Sequence, residues 1–511
     1  CRRQLGALTV LAARARACGE GRMGADCLRM KRILLPLLAV GLAYPACLTA
    51  APDRPNILFI MADDQAPWAL HASGYAQAHT PNMDRLASEG ARFTNAFTPT
   101  PVCSPARASL MTSRYGSELG ITDWLNPKAD KDLGLADEVM TWPRLLQQAG
   151  YDTALFGKWH LGDLDSQHPT QRGYGTFMGF RGGGNSPKNP TLEKDGVTAK
   201  HEGFIVDIVA DEAIGWLKAH NNAKPFAVSV HFREPHASYL PVREEDWDQV
   251  KHLDNPEIPN PEYPGLDVEK TKKMTREYLA SVAAIDRNLG HLLDTIEALQ
   301  LRKNTLVIYT SDHGYNMGHH GIWHKGNGHW LLKKEALPPA TANIPSGQRP
   351  NMFDTSVHIP LIMRWPGVVE SGTVNARTVS HLDWLPTFAG LSGAAVPSGL
   401  VVRGRDLTPL LRGPVGDWDD DFYAEYSTKH QSKTHMRMYR TPEWKLIRDF
   451  NNEGRDELFH LAVDPEETTN LIAETSPEVA RVVANLDGRI LAKMEALGDP
   501  VLPLAKKILK R

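Results

Sequence analysis

Asn56-Ile57-Leu58-Phe59-Ile60-Met61 runs directly into Ala62-Asp63-Asp64. Five apolar residues in succession, Ile57 to Met61, read as a strand buried on both faces, and the two acids mark its C-terminal end. The pattern recurs. Tyr151 to Phe156 (YDTALF) leads into Gly157-Lys158-Trp159-His160. Phe226 to Val230 (FAVSV) leads into His231-Phe232-Arg233-Glu234-Pro235-His236, and Asn304 to Thr310 (NTLVIYT) into Ser311-Asp312-His313-Gly314. Helical stretches separate these runs. Thr80-Pro81 opens one that Gly90 stops, Thr141 to Ala149 is closed by Gly150, and Met274 to Leu299 is long and amphipathic. Strands alternating with helices predict an α/β fold with a large, mostly parallel sheet flanked by helices. Such sheets bind ligands beyond the C-terminal ends of their strands. The four polar clusters all follow predicted strands, so they are expected to converge.

After about residue 395 the texture changes. Phe422 to Tyr426, Met436 to Tyr439 and Trp444 to Arg448 read as short antiparallel strands, with a turn at Thr441-Pro442-Glu443. Pro477 to Leu497 reads as a terminal helix. The expected division is a catalytic domain over residues 52–394 and a smaller α+β subdomain, containing an antiparallel sheet, over 395–511.

The N-terminus carries a separate signal. Residues 1–29 have no fold pattern and read as an upstream artefact. Met30-Lys31-Arg32 is basic, Ile33 to Ala43 is apolar, and small residues follow to Ala51. This is the layout of a secretory signal peptide, assigned to residues 30–50. The apolar run falls short of the roughly 20 residues of a membrane span. The expectation is an exported protein, periplasmic or extracellular, with no transmembrane span. A lipid anchor on Cys47 is the alternative, although Tyr44 stands where a lipobox has Leu. The net charge of −3, with 23% charged and 42% hydrophobic residues, is that of an ordinary globular protein and gives no sign of nucleic-acid binding.

With the upstream residues 1–29 and the signal peptide 30–50 both removed, Cys103 is the one cysteine left, in Cys103-Ser104-Pro105-Ala106-Arg107. A lone thiol in an exported chain has no internal disulfide partner, so it is either a packed small residue or a chemical group. Pro105 in a first helical turn puts residue 103 at a helix start, which favours negative charge there, and Arg107 falls one turn on. Asp63, Asp64, Asp312 and His313 offer three carboxylates and one imidazole, a set suited to Ca²⁺ or Mg²⁺ rather than to tetrahedral zinc. Lys158 and His160 lie two apart after a strand and can face the same way. His236, and Lys325 in a loop rich in glycine and histidine, complete the candidates. Each of these has an ordinary reading when taken alone: a solvated turn, a surface lysine, a structural histidine.

Taken together they resemble the type I sulfatases of the alkaline-phosphatase-like superfamily, over about Pro55 to Leu471. The resemblance is carried by CSPAR followed by Ser109-Leu110-Met111-Thr112-Ser113-Arg114, then by GKWHLG at 157–162 and SDHG at 311–314. Weaker echoes are Pro360-Leu361-Ile362 with Trp365-Pro366-Gly367, Asp383 to Thr387, and Asp464 to Glu467 before Asn470-Leu471. The resemblance implies that Cys103 is oxidised to formylglycine by a maturation enzyme. It implies one Ca²⁺ (Mg²⁺ as the alternative) on Asp63, Asp64, Asp312, His313 and the converted Cys103. It further implies that Arg107 and Lys158 hold the formylglycine, that His160 is the base that breaks the intermediate, and that His236 and Lys325 grip the sulfate and assist the leaving oxygen. Many relatives have Asn where this chain has His313, and Glu where it has His319.

The implied activity is removal of sulfate from a sulfated carbohydrate. Two alternatives remain: a phosphonate monoester hydrolase or phosphodiesterase on the same scaffold, and a catalytically silent glycan-binding protein. Leu331 to Asn351 reads as an extra loop that shapes the glycan subsites, with His324, Asn327, His329 and Trp330 as sugar contacts. Deleting residues 332–348 is expected to change substrate choice more than sulfate release from a small aryl ester.

Overall fold

A computed structural model describes residues 54–510. The readings of residues 1–29, of the signal peptide over 30–50 and of Cys47 therefore lie outside the described residues. The core is a ten-stranded sheet in the order β12-β2-β11-β8-β1-β7-β3-β4-β5-β6. Its centre holds β1 (Asn56–Asp63), flanked by β7 (Phe226–Pro235) and β8 (Thr305–Ser311), with β3 (Asp152–Lys158) and β4 (Thr176–Phe180) beyond β7. These five run parallel, with Leu58 level with Val228 and Val307. All eight residues of β1 and all ten of β7 are buried, the polar Ser229, His231, Arg233 and Glu234 of β7 included, so both strands are covered on both faces.

The flanks make the sheet mixed. β11 (Leu361–Arg364) runs antiparallel to β8 and to β2 (Ala91–Phe97), and β12 (Thr373–Ser380) runs parallel to β2. On the other side, β5 (Thr191–Lys194) and β6 (Val197–Lys200) form an antiparallel hairpin beside β4. The run predicted over Phe226 to Val230 continues to Pro235, because pairing with β1 resumes after an irregularity between Met61 and Asp63.

Helices cover both faces. The helix Pro81–Glu89 has Pro at its first position, but its N-cap Thr80 makes no side-chain cap bond. Asp286, on the long helix Val268–Ala298, supplies the cap instead by accepting from the backbone N–H of Asn82 (3.0 Å) and of Met83 (2.8 Å). The two helices are thus fixed together by one carboxylate. The helix Cys103–Thr112 is buried at every position, so its N-terminus opens inside the protein.

The C-terminal strands form a separate four-stranded antiparallel sheet: β13 (Phe422–Tyr426), β14 (Met436–Arg440), β15 (Trp444–Asp449) and β16 (Glu457–His460). The helix Pro477–Leu497 packs on it through Leu486, Ile490 and Met494 against Leu446 and Leu458. β9 (Ile322–Trp323) and β10 (His329–Trp330) make a small hairpin beside the site. Arg437 on β14 holds Asp499 with two bonds, of 2.6 and 2.9 Å, both groups buried. Arg437→Met strands that carboxylate without its cation, and an expected loss of about 3 kcal/mol is checked by thermal unfolding. Asp499→Asn added to it is expected to recover part of the loss.

Candidate active site

Three parallel strands of the sheet deliver the site. β1 ends at Asp63, β3 at Lys158, and β8 at Ser311, after which the chain turns into Asp312-His313. Asp64 turns into the left-handed region (φ +72°), held by its N–H to Asp312 Oδ1 at 3.2 Å and by the Tyr278 hydroxyl on its carbonyl at 2.7 Å. The buried helix start brings Cys103 into the same pit. Its Sγ lies 3.5 Å from Asp63 Oδ1, 3.4 Å from His313 Nε2 and 2.9 Å from Lys325 Nζ.

Charges alternate around the thiol. Lys158 Nζ donates to Asp63 Oδ2 at 2.5 Å and Lys325 Nζ to Asp64 Oδ1 at 2.6 Å. Arg107 Nε donates to Asp312 Oδ2 at 3.0 Å. Burial opposes ionisation of Asp63 and Asp64, yet the surrounding cations outweigh it and hold both carboxyls below their ordinary range. Burial, with Asp63 adding to it, pushes the Cys103 thiol up to about 12. An unconverted Cys103 is therefore a neutral thiol and a poor nucleophile.

The donor set fits a metal ion. His313 Nδ1 faces the Gly314 carbonyl at 2.9 Å, so it carries the proton and Nε2 is left as a lone pair. That lone pair points at Asp64 Oδ1 (3.1 Å) and Asp312 Oδ1 (3.4 Å), two acceptors with no proton of its own to share. Burial lowers the His313 pKa and so favours this neutral form. Asp64 Oδ2 is buried without a hydrogen-bond partner. Asp63, Cys103, Asp312 and His313 present ligand atoms within 4.8 Å of one another. Converging lone pairs of this kind are satisfied by a cation. Three carboxylates face three cationic side chains here, so a divalent ion would leave two positive charges for an anion to meet.

The remaining predicted residues are placed as follows. His160, at φ +58°, directs Nε2 to the Leu125 carbonyl at 3.2 Å. A carbonyl only accepts, so Nε2 carries the proton and Nδ1 keeps the lone pair, which has no partner among the described residues. Burial, then Lys158 and Arg107, hold the His160 pKa well below its usual value. Gly183 lies over this ring, where a Cβ would sit 2.6 Å away. His236 Nδ1 donates to the Ala237 carbonyl at 2.8 Å, and burial brings its pKa down to about 4. Burial would discharge Lys325, but Asp64 and its neighbours hold its pKa above the ordinary lysine value.

Of the four expected sugar contacts, His324 reaches the site, with its ring centre 6.3 Å from that of His236. Asn327 Oδ1 accepts from His324 Nδ1 at 2.8 Å and so fixes its ring. His329 lies 5.8 Å from His324, while Trp330, the next residue of the two-residue β10, turns the other way toward Tyr263. Sequence reading missed the amides that hold Lys325. Asn316 Nδ2 and Asn351 Nδ2 both donate to its carbonyl, at 3.4 and 3.1 Å. Both stand in loop segments without periodicity, and nothing in their local sequence marks them.

Comparison with known proteins agrees with this geometry. The family model described as Sulfatase matches residues 55–394, and that described as N-sulphoglucosamine sulphohydrolase, C-terminal, matches 348–496. The chain belongs to the sulfatase family, within the alkaline-phosphatase-like superfamily, and is a sulfuric ester hydrolase by class. It is 28% identical to an N-acetylglucosamine-6-O-sulfatase of Bacteroides thetaiotaomicron, over 86% of this chain and 87% of that one. It is 29% identical to an ulvan-active sulfatase of Formosa agariphila, over 88% and 82%. A solved structure in complex with its substrate D-glucosamine-2-N,6-O-disulfate superposes with a TM-score of 0.74 at 25% identity, covering 88% and 99% of the two chains. No helix among the described residues is long and apolar enough to cross a membrane.

Proposed function

We propose that this protein removes sulfate from a sulfated carbohydrate, using Cys103 converted to formylglycine and one Ca²⁺ on Asp63, Asp64, Asp312 and His313. The observation that carries the reading is the convergence of unprotonated donors and buried cations on Cys103. The hydrated aldehyde would supply a carbon bearing two hydroxyls, one to attack sulfur and one to release it. The ion would supply charge stabilisation for the sulfuryl oxygens and favour ionisation of the attacking hydroxyl.

The side chains divide the remaining work. Arg107, Lys158 and Lys325 place basic side chains in a buried pit, where fixed charges stabilise a transferring sulfuryl group most strongly. Lys325 is the better proton donor to the leaving sugar oxygen. His236 holds its single proton on Nδ1 against Ala237, leaving Nε2 as an acceptor for a hydroxyl of the sugar. His160 accepts a proton at Nδ1, because Leu125 fixes the opposite tautomer. The carbohydrate preference rests on the relatives, two of which carry names of sugar or polysaccharide sulfatases. The reading includes export through residues 30–50 and contact with a formylglycine-generating enzyme.

Peptide mass spectrometry across residue 103, on protein from a host with the maturation machinery, tests it together with parallel assays on sulfate and phosphate esters of one leaving group. An aldehyde at 103 and faster sulfate release are expected. A plain thiol, in a host that converts a control sulfatase, overturns the nucleophile; faster phosphate release overturns the substrate class. The metal has a separate readout. Ca²⁺ added to chelated protein is expected to raise the melting temperature, with a stabilisation of about 2.7 kcal/mol at a hundredfold excess over Kd. Asp312→Asn is expected to abolish the rise.

A further inference from the structure

The extra loop does not lie free on the surface. Gln348 pairs with His329, the Arg349 N–H donates to the Gly328 carbonyl (2.8 Å), and the Asn351 N–H donates to the Gly326 carbonyl (2.8 Å). Residues 348–351 therefore run back along residues 326–329 toward Lys325. The loop tip reaches the C-terminal subdomain, where the Lys433 N–H donates to the Asn343 carbonyl (2.9 Å) and Asn343 Nδ2 to the Asn451 carbonyl (3.3 Å). Between the tip and the turn 451–455 that joins β15 to β16 lies a cavity of 430 Å³. That size is within the range of small-ligand sites.

The lining has a defined chemistry. Trp330 presents a half-buried indole, Pro338, Pro339 and Pro345 are rigid, and Asn343, Gln348, Asn451 and Asn452 bring side-chain amides. Gln348 Oε1 is buried with no hydrogen-bond partner. The one cation in the lining is already matched: Arg455 holds Asp449 at 3.3 Å. Glu453 stands exposed on the rim, where it repels anions. The Nδ2 groups of Asn343, Asn451 and Asn452 are already engaged, so the open acceptor is Gln348 Oε1. An aromatic face, that acceptor and compensated charge suit a neutral, hydroxyl-bearing ring rather than a second sulfate. Gln348 stands level with His329, four residues from Lys325 around the turn of the β9–β10 hairpin, so their backbones lie at most about 14 Å apart. An oligosaccharide of a few rings spans that distance.

We propose that this cavity is a distal glycan subsite, holding an uncharged pyranose ring of the same chain whose sulfate lies at Cys103. The enzymatic part of the test rests on the sulfatase reading; the binding part does not. Tetrasaccharides from a glycosaminoglycan, a carrageenan and ulvan, chemically desulfated, would be titrated against protein with unconverted Cys103 by saturation-transfer NMR. At least one is expected to bind. Trp330→Ala and Gln348→Ala are each expected to weaken it about tenfold, while raising salt from about 0.1 to about 1 M leaves it unchanged. With the sulfated parent of that glycan, KM should rise about tenfold in both variants, with kcat and the turnover of a small aryl sulfate unaltered. No binding by the parent protein, binding indifferent to both substitutions, or binding lost in salt each overturns the subsite. If no sulfate ester is turned over while a desulfated glycan still binds through Trp330 and Gln348, the sulfatase reading fails and the subsite stands.

Discussion

A Cys103→Ser variant is expected to fold like the parent and to lose at least about 10⁴-fold in turnover of a sulfate ester. The substitution is nearly isosteric at a site that is 2% exposed. A serine hydroxyl can keep the contacts that the thiol makes with Asp63, His313 and Lys325, so the buried charges remain as they are. Thermal unfolding should therefore be unchanged within about 1 kcal/mol. The loss comes from chemistry alone. Serine offers one hydroxyl, which could accept a sulfuryl group but leaves none for His160 to deprotonate. Intact-protein mass spectrometry after mixing with substrate should show one added sulfuryl group, and Cys103→Ala should show none. Turnover by the serine variant near the parent rate would remove the need for an aldehyde and with it the proposed mechanism.

Much of the fold and the site could be read from the chain because the signals are local. Unbroken apolar runs such as Ile57–Met61 declare strands covered on both faces, and the polar residues just beyond them lie at one end of a parallel sheet by the rule of its topology. Cys103 follows the same logic, since Pro105 marks the helix start that points it into the pit. Features that depend on distant partners were not legible. The β5–β6 hairpin has a wholly exposed outer strand (Val197 to Lys200), which lacks the burial pattern that gives strands away. Asp286 caps another helix across 203 and 204 residues of sequence. His329 and Trp330 both read as sugar contacts in the sequence, yet strand alternation turns their side chains to opposite sides. The tautomers of His160, His236 and His313 depend on which backbone carbonyl each ring meets, and no sequence pattern carries that information.

Lys325→Met is expected to lower kcat/KM by at least about 10³-fold, the scale on which a cation placed on a transferring group acts. How that loss is distributed decides what Lys325 does. Its Nζ touches both Asp64 Oδ1 (2.6 Å) and Cys103 Sγ (2.9 Å), and its backbone is held by Asn316 and Asn351, so methionine can occupy the same space without the charge. If Lys325 gives its proton to the departing oxygen, the loss is greatest for a sugar sulfate, whose alkoxide is a poor leaving group, and small for a nitrophenyl sulfate, which leaves without help. If Lys325 acts as a fixed charge only, both substrates lose the same factor. Stability provides the control. Without Lys325 the three carboxylates face two cations, so Asp64 leans more heavily on a bound ion. Ca²⁺ should then raise the melting temperature of the variant more than that of the parent. Equal rises in parent and variant would mean that Asp64 does not share its charge between the lysine and the metal, and the charge balance proposed for the site would fall with it.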